Sequence, residues 1–110
     1  MDYNNTISEG KTKAVLAYAT IIGTIIAIFM NMDSQNPYAR FHIRQAFGIF
    51  LLYFLLGFFV GIFDSWWISG PFFIFIIVLW GFGLVNAFQG VTKPVPLVGE
   101  KFQQWFTFIN

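Results

Sequence analysis

The chain contains no cysteine and few charged residues. The absence of cysteine from its 110 residues excludes disulfide bonds, thiolate nucleophiles and cysteine-ligated metals. Only 10% of the residues are charged, whereas a soluble domain usually has about 25%. With a net charge of +1 and no basic block, nucleic-acid binding lacks its usual electrostatic attraction. The charged residues are too few to cover a surface that faces water.

Residues for metal binding and catalysis are also sparse. The single histidine, His42, has neither a second histidine nor an acid cluster near it in the sequence, which argues against a metal site. No nucleophile stands beside a convergent acid–base pair. We therefore expect a protein that is not an enzyme and that uses no cofactor or metal.

Apolar residues make up most of the chain, which is 57% hydrophobic and 22% aromatic. They fall into three runs, residues 14–32, 41–63 and 71–88, each near the length of about 20 residues that a bilayer-crossing helix needs. The first run is too long for a signal peptide and lacks a small-residue cleavage site. Short connections require neighbouring helices to be antiparallel. The sequence predicts one all-α membrane domain over residues 1–110, with three antiparallel transmembrane helices.

The C-terminal segment predicts a short amphipathic helix over residues 99–110. Its aromatic residues Phe102, Trp105 and Phe106 recur at helical spacing. The segment is too short to cross a bilayer, but it can lie in the membrane surface with these three residues facing down. A tail helix that docks on the bundle or on a partner explains the pattern equally well.

Small and polar residues indicate where the helices pack against one another. In lipid, helices associate through close contacts of small residues and through interhelical hydrogen bonds. The candidate packing residues are Gly23, Gly57, Gly61, Gly83 and Asn86. Gly57 and Gly61 have the GxxxG spacing, which is consistent with packing inside the bundle and also with a homodimer face.

Four polar residues precede or begin the second apolar run: Arg40, His42, Arg44 and Gln45. In one interpretation the arginines reach the headgroup layer, with their stems along apolar surface. A lipid phosphate or a partner's carboxylate would also suit Arg44. In the other interpretation these side chains dock the tail, and His42 or Gln45 hydrogen-bonds the main chain of residues 94–99. Glu100 would then come within reach of Arg40 or Arg44. We predict tail docking.

Two stretches resemble a known family, NPYARFHIRQAFGIFLLYF and NAFQGVTKPVPLVGEKFQQWF. They are similar to small bacterial membrane proteins of the import-component type, a domain family of unknown function. That family resembles the channel-associated subunit of the chloroplast inner-envelope protein translocon. The matching residues are Asn36, Pro37, Arg40, Phe41, His42, Gln45 and Ala46, and in the tail Gly90, Lys93, Pro94, Pro96, Gly99, Phe102 and Phe106. The resemblance implies a membrane fold and not an activity, and the plant subunit has four spans where this chain has three.

From these features we expect a multi-pass protein of the bacterial inner membrane. Its expected function is that of an accessory or scaffold subunit of a membrane complex, linked by the resemblance to protein translocation. The alternative is a channel or carrier that oligomerises through Gly57 and Gly61. The expected partners are the lipid bilayer and a protein partner or further copies of the chain, with no nucleic acid. With three spans, four basic residues against two favour an N-terminus outside the cell.

Overall fold

The computed structural model describes residues 3–109, and in this part of the chain it contains five helices and no strand. The helices are α1 (Tyr3–Ala19), α2 (Ile21–Ser34), α3 (Pro37–Phe63), α4 (Trp66–Gln89) and α5 (Gly99–Trp105). The all-helical prediction is confirmed. Residues 1, 2 and 110, which the predicted domain also includes, lie outside the described residues.

The prediction of three spans is wrong, because the chain breaks inside the first apolar run. Thr20 has extended backbone angles, φ −156° and ψ 173°, and separates α1 from α2. Its Oγ1 accepts a hydrogen bond of 3.1 Å from the N–H of Gly23, so the side chain caps a new helix instead of continuing the old one. The 14 residues of α2 rise only about 21 Å. Two helices, α3 and α4, are long and apolar enough to cross a membrane.

Side chains from elsewhere satisfy the carbonyl groups that the break leaves free. The hydroxyl of Thr24 donates to the carbonyl oxygen of Ala17 at 2.6 Å. The indole N–H of Trp80, in α4, donates to the carbonyl oxygen of Tyr18 at 2.6 Å. Because a buried carbonyl without a partner is costly, these two bonds stabilise the break.

The central element is α3, which packs against α1, α2, α4 and α5. Asn36 caps it, since its side chain accepts a hydrogen bond of 3.0 Å from the N–H of Ala39. Pro37 occupies the first helical position, where its missing N–H costs nothing. The helix therefore starts four residues before the apolar run predicted at residue 41.

The third predicted span also starts earlier than the sequence indicated. α4 begins at Trp66, and Pro71 lies inside the helix instead of in its first turn. The predicted seven-residue connection therefore shrinks to Asp64 and Ser65, so that α3 and α4 form a tight antiparallel hairpin. At its C-terminus, α4 ends at Gln89, and the next residue, Gly90, has a φ of 75°, which suits a residue without a Cβ atom.

Along its 50 Å length the molecule has one part in which α1 and α2 pack beside the long helices and one part that consists of the long helices alone. α1 and α2 form an antiparallel hairpin beside the first half of α3 and the second half of α4. The connection at Thr20 lies next to residues near the middle of these long helices, including Phe50 and Ile77. Beyond this level, the α3–α4 hairpin continues without α1 and α2.

Candidate functional site

Two of the predicted site residues reach the main chain that links α4 to α5. His42 and Gln45 are fully buried. The Nε2 atom of His42 lies 2.8 Å from the carbonyl oxygen of Val91, and the Oε1 atom of Gln45 accepts a hydrogen bond of 2.9 Å from the N–H of Val95. Residues 91–95 contain no helix, so their main-chain groups require such partners.

Tyr18, which the sequence analysis did not select, connects His42 to Gln45. Gln45 Nε2 donates to the Tyr18 hydroxyl oxygen at 2.8 Å, and that oxygen lies 2.8 Å from His42 Nδ1. Since the carbonyl of Val91 can only accept, His42 carries its proton on Nε2, and Nδ1 accepts the Tyr18 proton. We call Tyr18, His42 and Gln45 the inner network.

The inner network binds α1, α3 and the segment after α4 to one another. Each of its side chains uses its polar atoms on another member or on the chain's own backbone.

The two arginines of the predicted cluster also contact main-chain oxygens. Arg44 donates from Nε to the carbonyl of Ile109 at 3.0 Å, and from Nη2 to that of Thr107 at 3.3 Å. Arg40 donates to the carbonyl of Gln35 at 3.2 Å. None of these three bonds involves Glu100, which is exposed. Arg44 therefore reaches the segment that follows α5, whereas Arg40 stays at the start of its own helix.

The tail docks on α3 through an aromatic contact and a further hydrogen bond. Phe102 is buried against Gly48, where a Cβ atom would lie 2.4 Å from the phenyl ring. Gln103 Nε2 donates to the carbonyl of Phe41 at 2.8 Å. α5 has only seven residues, so it is shorter than the predicted segment 99–110.

Two of the three residues predicted to face the membrane surface, Phe102 and Phe106, stack on each other and pack toward α3. Phe102 faces α3, and Phe106 packs edge-on against Phe47 with ring centroids 4.9 Å apart. Trp105 is 64% exposed. Of the two interpretations of the tail, a helix docked on the bundle fits the position of Phe102, whose ring packs against Gly48.

Two of the candidate packing glycines lie where the chain approaches itself closely. A Cβ atom at Gly23 would lie 2.3 Å from the carbonyl oxygen of Leu16, across the helix break. One at Gly83 would lie 2.6 Å from the ring of Tyr18. Gly83 thus allows α4 to approach the inner network.

The other candidates are less constrained. A Cβ atom at Gly57 would make ordinary contact with Phe72 at 3.7 Å, and one at Gly61 would meet nothing within 4 Å. Asn86 is buried, its carbonyl oxygen accepts from the Tyr38 hydroxyl at 3.3 Å, and its side-chain nitrogen has no hydrogen-bond partner.

A second polar cluster, which the sequence analysis also missed, fastens α1 to the start of α3. Asn36 Nδ2 donates to the carbonyl of Thr6 at 2.8 Å, and the N–H of Asn36 donates to Asn31 Oδ1 at 3.0 Å. A Cβ atom at Gly10 would lie 2.3 Å from Asn36 Oδ1. Asn36 therefore caps α3 and holds α1 and α2 together.

The described part of the chain contains no group of three or more histidine, cysteine, aspartate or glutamate residues that could hold a metal ion. The fold and the site described above are those of a small all-helical protein. An apolar two-helix hairpin extends from a bundle that is closed internally by polar contacts.

Comparison with known proteins gives one distant relative. The chain is 28% identical over 81 residues to a protein of Methanocaldococcus jannaschii named UPF0132 membrane protein MJ1527. The alignment covers 72% of this chain and 58% of the relative, so the chain spans little more than half of the relative's length. No family model and no solved structure matches the chain. The relative is a membrane protein of an uncharacterised family, and these comparisons do not identify the import-component family.

Proposed function

We propose that the chain is a non-enzymatic integral membrane protein whose α3 and α4 cross the bilayer. The observation that carries this proposal is the exposure of the two helices. In the apolar stretch of each, only 17% of the residues are buried, whereas the core helix of a soluble protein is mostly covered. Phe58 is 71% exposed and Ile74 is 65% exposed. A lipid bilayer is the solvent that suits such a surface.

Within the membrane, we assign the chain the role of an accessory or scaffold subunit of a larger complex. Tyr18, His42 and Gln45 are fully occupied by contacts within the chain, which supports a structural interior over a reaction centre. In the part of the chain that the structure describes, the end of the α3–α4 hairpin near Asp64 exposes large apolar side chains, among them Phe58 and Ile62, that another transmembrane protein can cover. The partner is therefore another membrane protein or a further copy of this chain.

An oligomeric channel or carrier is less well supported. Such an assembly needs polar side chains along an outward helix face, so that several copies can enclose a polar path. Apart from Gln89 at the end of α4, the large exposed residues of α3 and α4 are aliphatic or aromatic. The buried polar residues Thr24 and Gln45 instead turn into the chain and bond there.

The connection with protein translocation and with a bacterial inner membrane rests only on the family resemblance of two stretches, one around residues 36–46 and one over residues 90–106. On this proposal the chain supports a translocation complex from its side without forming the pore. Its inner network and docked tail would then keep the bundle rigid beside a larger partner.

Membrane retention followed by mass measurement tests the proposal. The chain should stay in the membrane pellet during alkaline carbonate washing. In mild detergent it should migrate as a complex heavier than one chain with its detergent. Release by carbonate would refute membrane integration, and a strictly monomeric protein without a co-purifying partner would refute the scaffold role.

Matched variants identify the surface that binds the partner. Phe58→Ala, on the exposed side of α3, should reduce the co-purifying mass and leave membrane retention unchanged. Gln104→Ala, at an exposed position of α5, should affect neither. Ion flux in liposomes that disappears on Gly57→Leu would favour the channel instead.

A further inference from the structure

All six lysine and arginine residues of the chain lie toward one end of the molecule. Two are near the middle of α1, two are in the first turns of α3, and two are in the tail: Lys11, Lys13, Arg40, Arg44, Lys93 and Lys101. Between Arg44 and Lys93 the chain has no basic residue. We call this end the basic end.

Direct contacts bring these three parts of the chain together. Lys13 Nζ donates to the hydroxyl of Ser34 at 2.6 Å, which joins α1 to the end of α2. Asn36 joins the start of α3 to α1 at Thr6. The Tyr38 hydroxyl donates to the carbonyl of Ala87 at 2.6 Å, which joins the start of α3 to the end of α4. The tail is held by the contacts of His42, Gln45 and Arg44 described above.

The opposite end of the molecule carries aromatic residues and a single acid. α3 has 27 residues and rises about 40 Å between its termini, so Asp64 is far from the basic end. Trp66 and Trp67, which follow Asp64, are 85% and 90% exposed. Exposed tryptophans at the end of an apolar hairpin are typical of a membrane–water interface.

The α1–α2 hairpin starts at the basic end and turns back near the middle of the long helices. Its connection borders a groove of about 360 Å³ that is lined by residues near the centres of α3 and α4 as well as by Thr20. The hairpin therefore covers about half of the α3–α4 length.

One side of α2 has an exposed apolar surface that suits contact with lipid. Its inward side consists of Gly23, Thr24, Ala27 and Asn31, which are buried. Its outward side exposes Ile22, Ile25, Ile26, Phe29 and Met30. Irregular backbone at membrane depth is tolerated only where protein groups satisfy it, and Thr24 and Trp80 do so at the break.

We propose that α1 and α2 form a re-entrant hairpin, which enters one leaflet from the basic end and returns to the same side. This inference rests on the proposed membrane integration. The chain then crosses the bilayer only twice, and its described ends at Tyr3 and Ile109 share one side. All basic residues lie on that side, so the positive-inside rule assigns it to the cytoplasm. The turn at Asp64 faces outward, and the N-terminus is inside, contrary to the expectation from three spans.

Acidic residues do not alter this assignment. Glu9, Asp33 and Glu100 also lie toward the basic end and Asp64 at the other end. The orientation rule counts lysine and arginine, and acidic residues contribute little to it. The distribution of basic residues is thus six to none, whereas the three-span interpretation divided them four to two.

Single-cysteine labelling tests the topology, and the absence of native cysteine makes every variant unambiguous. Ser8→Cys, Leu97→Cys and Asp64→Cys place one thiol each at exposed positions. A membrane-impermeant maleimide is applied to intact spheroplasts and to inside-out vesicles. Asp64→Cys should label from outside only. Ser8→Cys and Leu97→Cys should label only in the inside-out vesicles.

Other labelling patterns would overturn the inference. Ser8→Cys and Leu97→Cys on opposite sides would restore three spans. Labelling of both from outside would reverse the orientation, and labelling from both faces would show mixed insertion. Protease protection of tags at both ends of the otherwise unaltered chain provides the same distinction without any substitution. Carbonate washing of each variant separates these results from a failure of membrane integration, because a protein outside the membrane is released.

Discussion

At the residue scale, the side chains at the entrance of α3 bind main-chain groups of the tail. His42, Gln45 and Arg44 contact Val91, Val95 and Ile109 respectively, in each case at a carbonyl or an N–H group. Such contacts depend on the path of the tail and hardly on its side chains. Of the three residues, Gln45 has the most tightly constrained side chain. Its amide is fully buried and forms hydrogen bonds through both its oxygen and its nitrogen.

Gln45→Ala should loosen the tail without unfolding the long helices. The substitution leaves the Val95 N–H and the Tyr18 hydroxyl each short of a buried partner, and the loss of one such partner costs about 1–3 kcal/mol. Tryptic cleavage after Lys101 in detergent solution should therefore be faster than in the unaltered protein. Arg44→Ala should act in the same direction through the segment at Ile109.

Gln89→Ala is the matched control, since Gln89 is exposed at the end of α4 and its substitution should leave the cleavage rate unchanged. Unaltered protection of the tail in both Gln45→Ala and Arg44→Ala would show that tail docking does not depend on these contacts. Membrane-surface contacts of the arginines would then be their main role.

The participation of Tyr18 could not be predicted from the sequence. Polar residues beside an apolar run are conspicuous, which is why Arg40, His42, Arg44 and Gln45 could be selected. Tyr18 lies inside an apolar run, where an aromatic residue needs no special explanation. Its partner His42 is 24 positions away, and only the packing of α1 on α3 brings the two rings together.

At the element scale, the helix break at Thr20 shows why the number of spans was mispredicted. Residues 14–32 form a continuous apolar run without proline, so composition and length favour one helix. The break depends on tertiary contacts, because Trp80 is 62 positions from the carbonyl that it satisfies. The apolar runs were enough to predict that these segments are helical. The boundary at Thr20 was not predictable, because it depends in part on Trp80, which is distant in the sequence.

The close approach of α4 to α1 gives a matched pair of glycine variants. At Gly83 a new Cβ atom would lie 2.6 Å from the Tyr18 ring, which is fixed by its hydroxyl contacts and cannot swing aside. Gly83→Ala should lower the free energy of unfolding by about 1–3 kcal/mol, as overpacking of a filled core does. Thermal unfolding in detergent measures the change.

Gly81→Ala serves as the control, because a Cβ atom there meets nothing within 4 Å. It should be neutral or should stabilise the helix by up to about 1 kcal/mol. Equal destabilisation by the two variants would indicate a general effect of glycine replacement in α4. The contact with Tyr18 would then not explain why position 83 holds a glycine.

At the scale of the whole molecule, the tryptophans provide a measure of depth in the bilayer. Trp66 and Trp67 lie at one end, Trp105 lies on the tail at the other, and Trp80 lies beside the groove near the middle. If α3 and α4 cross the membrane, the terminal tryptophans lie at the two interfaces, and Trp80 lies near the centre of the bilayer.

Depth-dependent fluorescence quenching in lipid vesicles checks this arrangement. A variant that retains only Trp66 and Trp67 should be quenched most by a label near the headgroups. A variant that retains only Trp80 should be quenched most by a label near the acyl-chain ends. Deep quenching of the first variant, or strong quenching of Trp80 by a water-soluble quencher, would be incompatible with the proposed crossing.

The contact between Gln45 and Val95 also imposes an order on biosynthesis. The ribosome adds 50 residues between these two positions, which takes about 3–10 s at ordinary elongation rates. During this interval α1, α2 and α3 can emerge and pack, but the amide oxygen of Gln45 has no Val95 N–H to accept from. If α3 and α4 cross the bilayer as proposed, this acceptor stays unfilled in the nascent bundle until α4 has been translated and has returned to the starting side.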